Sequence, residues 1–233
     1  MSAGKRARTA KVKSERQASP ARRRSGEPRQ TTRERLVEAA RQLLEEGGYA
    51  AASVQAIAAR TGVAAGAMYR HFPSKADLFV EVFRHAAAID LANVDHAAAS
   101  GTCIARLEAA VAAHARGVLR HRRLAWALLY EPVDRAVDEE RLIYRRTYCR
   151  QMAGLLRQAV AAGEIPPQDV ELNAAALVGA VAEALVGPLS PVAGQVASPE
   201  ELIATLVRFC RRAIGAPDAA ALQAVPSVRT RKR

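Results

Sequence analysis

Aromatic residues make up only 4% of this 233-residue sequence, and cysteine occurs three times. Alternating β-branched or aromatic stretches are scarce, which argues against a sheet. Alanine and leucine run throughout, which favours helix, and the fold class expected is all-α. Cys103, Cys149 and Cys210 lie far apart, each inside a helical pattern, which leaves neither a disulfide framework nor a CxxC metal knuckle. They read as small buried hydrophobes. No apolar run approaches the roughly 18–20 residues that cross a bilayer, and no secretory h-region appears, so no membrane partner and a cytoplasmic, nucleoid-associated protein are expected. Phosphate-loop, GxSxG and Cys-His signatures are missing as well. The five histidines are dispersed. His85 and His96, or His114 and His121, share a helix face without a carboxylate or cysteine at metal-ligand spacing. The expectation is a protein that is not an enzyme and needs no metal or cofactor.

What the sequence has is positive charge, and it is segregated. The formal net charge is +12. Residues 1–30 hold ten Lys/Arg against two Glu, and RTRKR at 229–233 adds four more, so the body between carries no net charge. Two basic tails on a neutral globule suit a polyanion partner, or else are simply solvated. They are assigned here as a disordered basic arm, residues 1–30, and a disordered basic tail, residues 216–233. The start is Ser- and Arg-rich but lacks the apolar spacing of a transit peptide.

Helix punctuation divides the body. Thr31-Thr-Arg-Glu34 forms a capping box ahead of the stripe Leu36, Ala40, Leu43 and Leu44, and Gly47-Gly48 ends that helix. Ser53 caps a short second helix with Val54, Ile57 and Ala58 facing inward, and Gly62 stops it. A third runs from about Ala64 to His71, ended by Pro73. Ser74, with Asp77, caps a longer fourth helix reaching about Ala98. Further helices are expected over Thr102–His121, Arg122–Glu131, Asp134–Ala162 and Asp169–Val186, the last stopped by Gly187-Pro188. Ser198-Pro-Glu-Glu201 opens a ninth, ended by Gly215 and Pro217. No internal repeat appears.

Two short helices joined at a glycine, braced by a third, form the helix-turn-helix plan. Gly62 takes the positive φ that the turn needs. Ile57, Val63, Met68 and Phe72 knit the pair together and leave the opposite face of the third helix free. The run SVQAIAARTGVAAGAMYRHFPSKADLF, residues 53–79, resembles the DNA-binding segment of the TetR family of bacterial transcriptional regulators. The turn glycine followed by Val63, the early Gly66, the ending Tyr69-Arg-His-Phe72 and Lys75 three residues beyond carry the resemblance. It covers roughly residues 31–84, with the nine-helix layout agreeing over the rest.

The resemblance implies a helix-turn-helix DNA-binding domain over 31–84 and a ligand-binding and dimerising domain over 85–215. The partner implied is a double-stranded DNA operator, bound by a homodimer and released by a largely apolar small-molecule effector. Gly66 would bring the helix backbone close to phosphate, where Tyr69, His71, Lys75 and Ser53 donate. Base edges would be read by Gln55, which pairs with adenine, and Arg70, which pairs with guanine. The methyls of Ala64, Ala65 and Ala67 would meet thymine methyls. Many family members carry a polar or Lys residue where this chain has Ala65, so base readout is thin here. The basic arm would supplement it from a neighbouring minor groove.

In the second half, Trp126 and Tyr130, then Tyr144 and Tyr148, pair at i, i+4, and Met152 extends the second row. With Phe83 and His114 they line an effector pocket or are simply core. Small residues near Ala176 and Gly179 permit close helix approach, so Leu172, Ala176, Gly179, Leu185, Leu202, Leu206 and Phe209 are expected at a two-fold interface. The competing function is a non-specific architectural DNA binder driven by its tails.

Overall fold

The structure, a computed structural model, describes residues 30–192 and 198–217. The expected arm and tail thus fall outside the described residues, apart from Gln30, Ala216 and Pro217. Among the described residues there are nine helices and no strand: α1 Thr32–Ala51, α2 Val54–Thr61, α3 Ala65–Met68, α4 Lys75–Ala97, α5 Cys103–Arg120, α6 Arg122–Leu129, α7 Arg135–Ala161, α8 Val170–Leu189 and α9 Pro199–Ala213. The first turns are closed by side chains, as the sequence predicts at Thr31, Ser53, Ser74 and Ser198, and Thr102 adds a cap not read from the sequence. Thr31 and Glu34 make the reciprocal box, the Thr31 amide donating to Glu34 Oε2 at 2.7 Å. Ser53, Ser74, Thr102 and Ser198 each accept from a backbone amide three residues on. Glu164, from the turn after α7, reaches the start of α5 and accepts from the Cys103 and Ile104 amides at 3.0 and 2.9 Å. Those bonds, to Ile104 first, hold its carboxyl below the usual range.

The regular helix of α1 breaks at Gly48 (φ 70°, ψ −162°), as the sequence predicts, and a short turn to Ala51 follows the kink, with the Tyr49 amide held by Glu131 Oε2 at 2.9 Å. Two boundaries differ from the sequence reading, each for a local reason. α3 is one turn long. Residues 69–72 fold back on it through amides of His71 and Phe72 donating to the Met68 carbonyl at 2.9 and 3.0 Å, while Pro73 bars Phe72 from helical backbone. α8 passes through Pro188 to Leu189. The carbonyl that loses its partner there belongs to exposed Ala184, where water can serve it, and Leu189 is anchored in the core.

The buried apolar side chains form two clusters. One joins α1, α2, α3 and the first half of α4, with Leu36, Leu44, Ile57, Met68, Phe72 and Val82 at its centre, and is completed by Leu124, Ala127 and Leu128 of α6. The other joins α5, α7, α8 and α9 with Val94 and Ala98 from the far end of α4. α4 is therefore a shared beam: one end braces the short helices and the other lies in the second core. One sequence expectation is corrected here. α8, 20 residues long, is long and apolar enough to cross a bilayer, with a mean hydropathy of 1.6 over an 18-residue window. Alanine, glycine and proline conceal this in the sequence, and its Ala174, Leu177, Val178, Val181, Leu185 and Leu189 pack into the second core.

Candidate nucleic-acid interface and effector cavity

Gly62 ends α2 in the left-handed region (φ 68°, ψ 22°), and its amide and that of Val63 return to carbonyls of α2. That is the glycine C-terminal lock, cheap only without a Cβ. The Thr61 hydroxyl donates to the Ile57 carbonyl at 2.9 Å, and Arg35 of α1 donates to the Thr61 carbonyl, which fixes the turn to α1. Ile57, Met68 and Phe72 point inward and are buried together. Arg33 lies over the Phe72 ring at 4.9 Å while pairing with Glu81 of α4 at 3.0 Å, so the chain leaving α3 is pinned from outside too.

The inward set leaves an outward one. Gln55, Ala64, Ala65, Gly66, Tyr69, Arg70 and His71 are all exposed. Among the described residues, no side-chain hydrogen bond or ion pair engages Gln55, Tyr69, Arg70 or His71. Gly66 is the telling position. A Cβ built on it meets nothing within 4 Å, and its backbone is not in the positive-φ region. Among the described residues, nothing requires a glycine there.

Two of the sequence-derived contacts are placed differently. Ala67 is 8% exposed and turned into the core beside Met68, so its methyl cannot reach a groove. Lys75 is half-buried, its Nζ 5.0 Å from the Phe79 ring centre, and burial lowers its pKa, so its charge is partly turned inward. Ser53 sits half-buried with its hydroxyl accepting from the Ala56 amide at 3.1 Å, which leaves the hydroxyl proton available to a phosphate.

The second half carries an open cavity of about 420 Å³ walled by α5, α7 and α8 and the end of α6. His114, Tyr130, Tyr144 and Tyr148 line it, and Phe83 lines a neighbouring hollow of about 520 Å³ that shares Tyr144 as a wall. Trp126 and Met152 line neither. Met152 is buried in the second core, and Trp126 packs on that core with its ring 5.3 Å from that of Tyr130. The cavity's apolar wall comes from α8, through Val178, Val181, Leu185 and Leu189.

Asp90 of α4, a wall of the neighbouring hollow, stands behind two residues of the cavity's polar side, and sequence reasoning missed it. Its Oδ2 accepts from the Tyr144 hydroxyl at 2.7 Å and lies 2.9 Å from His114 Nδ1. The signal was a lone carboxylate in the apolar stretch AAAIDLA, but its partners are 24 and 54 residues away. Burial first, then Asp90, pushes the Tyr144 phenol well above its ordinary pKa, so it stays a neutral donor. Arg141 is fully engaged, donating to the Ala127, Leu128 and Glu131 carbonyls and to Asp138, and ties α7 to the end of α6.

The expected interface residues divide. Leu185 (1% exposed) and Leu206 (6%) belong to the chain's own core and are withdrawn from the interface, since an apolar helix face buried within one chain has nothing left to offer a second. Leu172 (66%), Phe209 (49%) and Ala176 are exposed, with Gly179 and Leu202 half-buried.

Comparison with known proteins gives matches over both halves. Residues 36–82 match the model of bacterial regulatory proteins of the tetR family, and residues 100–185 match that of the tetracyclin repressor-like C-terminal domain. The HTH-type transcriptional repressor KstR of Mycolicibacterium smegmatis is 38% identical over 104 residues, 44% of this chain and 50% of that protein. The KstR of Mycobacterium tuberculosis is 34% identical over 103 residues, 44% of this chain and 47% of that protein. The chain thus spans about half the length of the curated relatives it matches. Among solved structures, a tetR-family regulatory protein from Rhodococcus RHA1 superposes with a TM-score of 0.66 at 22% identity, over 81% of this chain and 100% of that one. The regulator FadR from Bacillus subtilis, solved in complex with stearoyl-CoA, superposes with a TM-score of 0.66 at 20% identity, over 76% of this chain and 96% of that one.

Proposed function

The chain belongs to the tetR family of bacterial regulatory proteins, and on that premise we propose that it is a sequence-specific transcriptional repressor. It acts as a homodimer on a palindromic operator and releases DNA when a largely apolar small molecule fills the cavity between α5, α7 and α8. The observation that carries the DNA-binding part is Gly66: a glycine unexplained by packing or backbone among the described residues, at the centre of an exposed edge where Gln55, Tyr69, Arg70 and His71 have no side-chain partner among those residues. A close approach to a phosphate backbone explains it.

On this reading each residue has one task. Ser53, Tyr69 and His71 donate to phosphates and set the register, and Lys75 adds charge from the start of α4. Gln55 and Arg70 read base edges, aided by the methyls of Ala64 and Ala65. The exposed Leu172, Ala176 and Phe209 of α8 and α9, with Gly179 and Leu202, meet their symmetry mates. That pairing holds two recognition edges about 34 Å apart, one turn of DNA. The curated relatives are named repressors, and FadR, which shares the fold, was crystallised with a small molecule; both favour the same reading.

Release follows from α4. Its first residues brace α3, and its Asp90, which lines the neighbouring hollow, bonds Tyr144 and His114 of the cavity wall. A molecule that fits only one arrangement of Tyr144, His114 and Asp90 favours one position of α4, and so one spacing of the two edges.

A competition titration tests the DNA reading. Bound to a preferred duplex, the wild-type chain is displaced by random genomic fragments only at large excess. Gln55→Ala and Arg70→Ala each lose ~1–3 kcal/mol for that duplex and little for random DNA. Equal affinity for every duplex, unaltered by either substitution, would instead establish the non-specific architectural binder.

A further inference from the structure

We infer that the cavity takes an amphipathic monoanion, an aliphatic chain ending in a carboxylate, and that Arg145 of α7 binds the carboxylate at the cavity mouth. The inference rests on the effector reading above and names the ligand class of that same cavity. Arg145 lines the cavity and is exposed, and among the described residues no hydrogen bond or ion pair engages its guanidinium. Its Nη2 lies 3.4 Å from the place a Cβ on Gly179 would take. The cation therefore rests against α8, the helix that supplies the apolar wall through Val178, Val181, Leu185 and Leu189. An unpaired cation beside an apolar wall is matched by one molecule that brings both an anion and a chain to bury.

The neighbours leave the choice of head group to Arg145. Asp138 and Arg141, which also line the cavity, pair with each other at 2.8 Å, and Arg141 donates besides to the Ala127, Leu128 and Glu131 carbonyls. The Tyr130 hydroxyl donates to the Ala182 carbonyl at 2.9 Å and that of Tyr144 to Asp90. The Tyr148 hydroxyl is shut away from the cavity surface. Burial first, then Glu183, raises the Tyr130 pKa while Arg145 lowers it, yet among the described residues Glu183 and Arg145 form no ion pair with each other. A protonated amine would meet Arg145 as a like charge, and a neutral head would leave it unmatched. A phosphate monoester would bring surplus negative charge next to Asp138, with no second arginine or lysine of the lining free to meet it among the described residues. One carboxylate balances one guanidinium, and its two oxygens fit the fork of N–H donors.

The test titrates the full chain with two ten-carbon probes, decanoate and 2-decanone, by calorimetry, in wild type, Arg145→Gln and Arg146→Gln. Arg146 is the next residue on α7, exposed and outside the lining, so its replacement removes the same charge without touching the cavity. The three chains are expected to melt together, because neither guanidinium has a partner to lose among the described residues. We expect the Kd for decanoate to rise about five- to tenfold in Arg145→Gln, the effect of one charge-assisted pair at a mouth open to water, and to change less than twofold in Arg146→Gln. The Kd for 2-decanone changes less than twofold in both. No decanoate binding to the wild-type chain, no rise in Arg145→Gln, an equal rise in the two variants, or an equal rise for the two probes would each overturn the inference. Binding is read without DNA. Decanoate binding that depends on Arg145 yet leaves the DNA complex intact supports the ligand class and removes the effector role alone.

Discussion

Replacing Gly66 with leucine leaves the thermal midpoint unchanged or slightly raised, and lowers affinity for the preferred DNA site by on the order of 100-fold. The two halves of that result come from different physics. Within the chain, a Cβ at position 66 points into open space and the backbone carries no positive φ, so no neighbour has to move. Glycine inside a helix also costs up to ~1 kcal/mol relative to a good helix former, which leucine recovers in part. At the DNA surface the added side chain stands between the α3 backbone and the phosphates. Losing two or three contacts of ~1 kcal/mol each amounts to roughly two decades in Kd. Calorimetry and a gel-shift titration on the same preparation measure both. A variant that binds DNA as wild type does would mean that this edge faces solvent in the complex.

Asp90→Ala is expected to have the larger effect on stability. The carboxylate oxygen serves the Tyr144 hydroxyl and His114 Nδ1 together, in a site where Tyr144 is largely shielded from water. Truncation leaves the Tyr144 hydroxyl and His114 Nδ1 with only their mutual 3.4 Å contact, at a cost of ~1–3 kcal/mol for each bond lost. The sum, roughly 2–4 kcal/mol once a water enters the hollow, lowers the thermal midpoint by roughly 5–10 °C in a chain of this size. Asp90→Asn keeps one acceptor oxygen and is expected to lose about half as much. On the release mechanism both variants still bind DNA below their midpoints, but an effector no longer displaces it, because the link between the cavity and α4 has been cut. Melting curves that superpose on wild type would show that the network contributes nothing to the fold, and undiminished release would place the link elsewhere.

The helical layout was legible because helix ends are written locally. A hydroxyl or carboxylate that accepts from the amide two or three residues on, as at Thr31, Ser53, Ser74, Thr102, Asp134 and Ser198, needs no knowledge of the rest of the chain. The turn at Gly62 was legible for the same reason. What the sequence obscured is orientation. In AAGA, residues 64–67, every side chain is a methyl or nothing, so the pattern does not tell that Ala65 faces out and Ala67 in. α8 is largely apolar, broken only by Glu171, Asn173 and Glu183, and its leucines could not be divided between the chain's own core and a partner: Leu185 went inward while Leu172 stayed out. Asp90 escaped because its meaning lies in residues brought together from α5 and α7, and a single sequence carries no trace of that pairing. Pro188 misled because its penalty falls on an exposed carbonyl.

The most direct test of the central claim, that the exposed edge from Gly66 to His71 is presented to DNA twice by a symmetric assembly, is selection of bound duplexes from a random pool by the full chain. The account predicts enrichment of an inverted repeat whose half-sites are centred about one helical turn, 10–10.5 base pairs, apart, and loss of that enrichment with Arg70→Ala. A pool that stays random, or a single half-site without its mirror image, would contradict it.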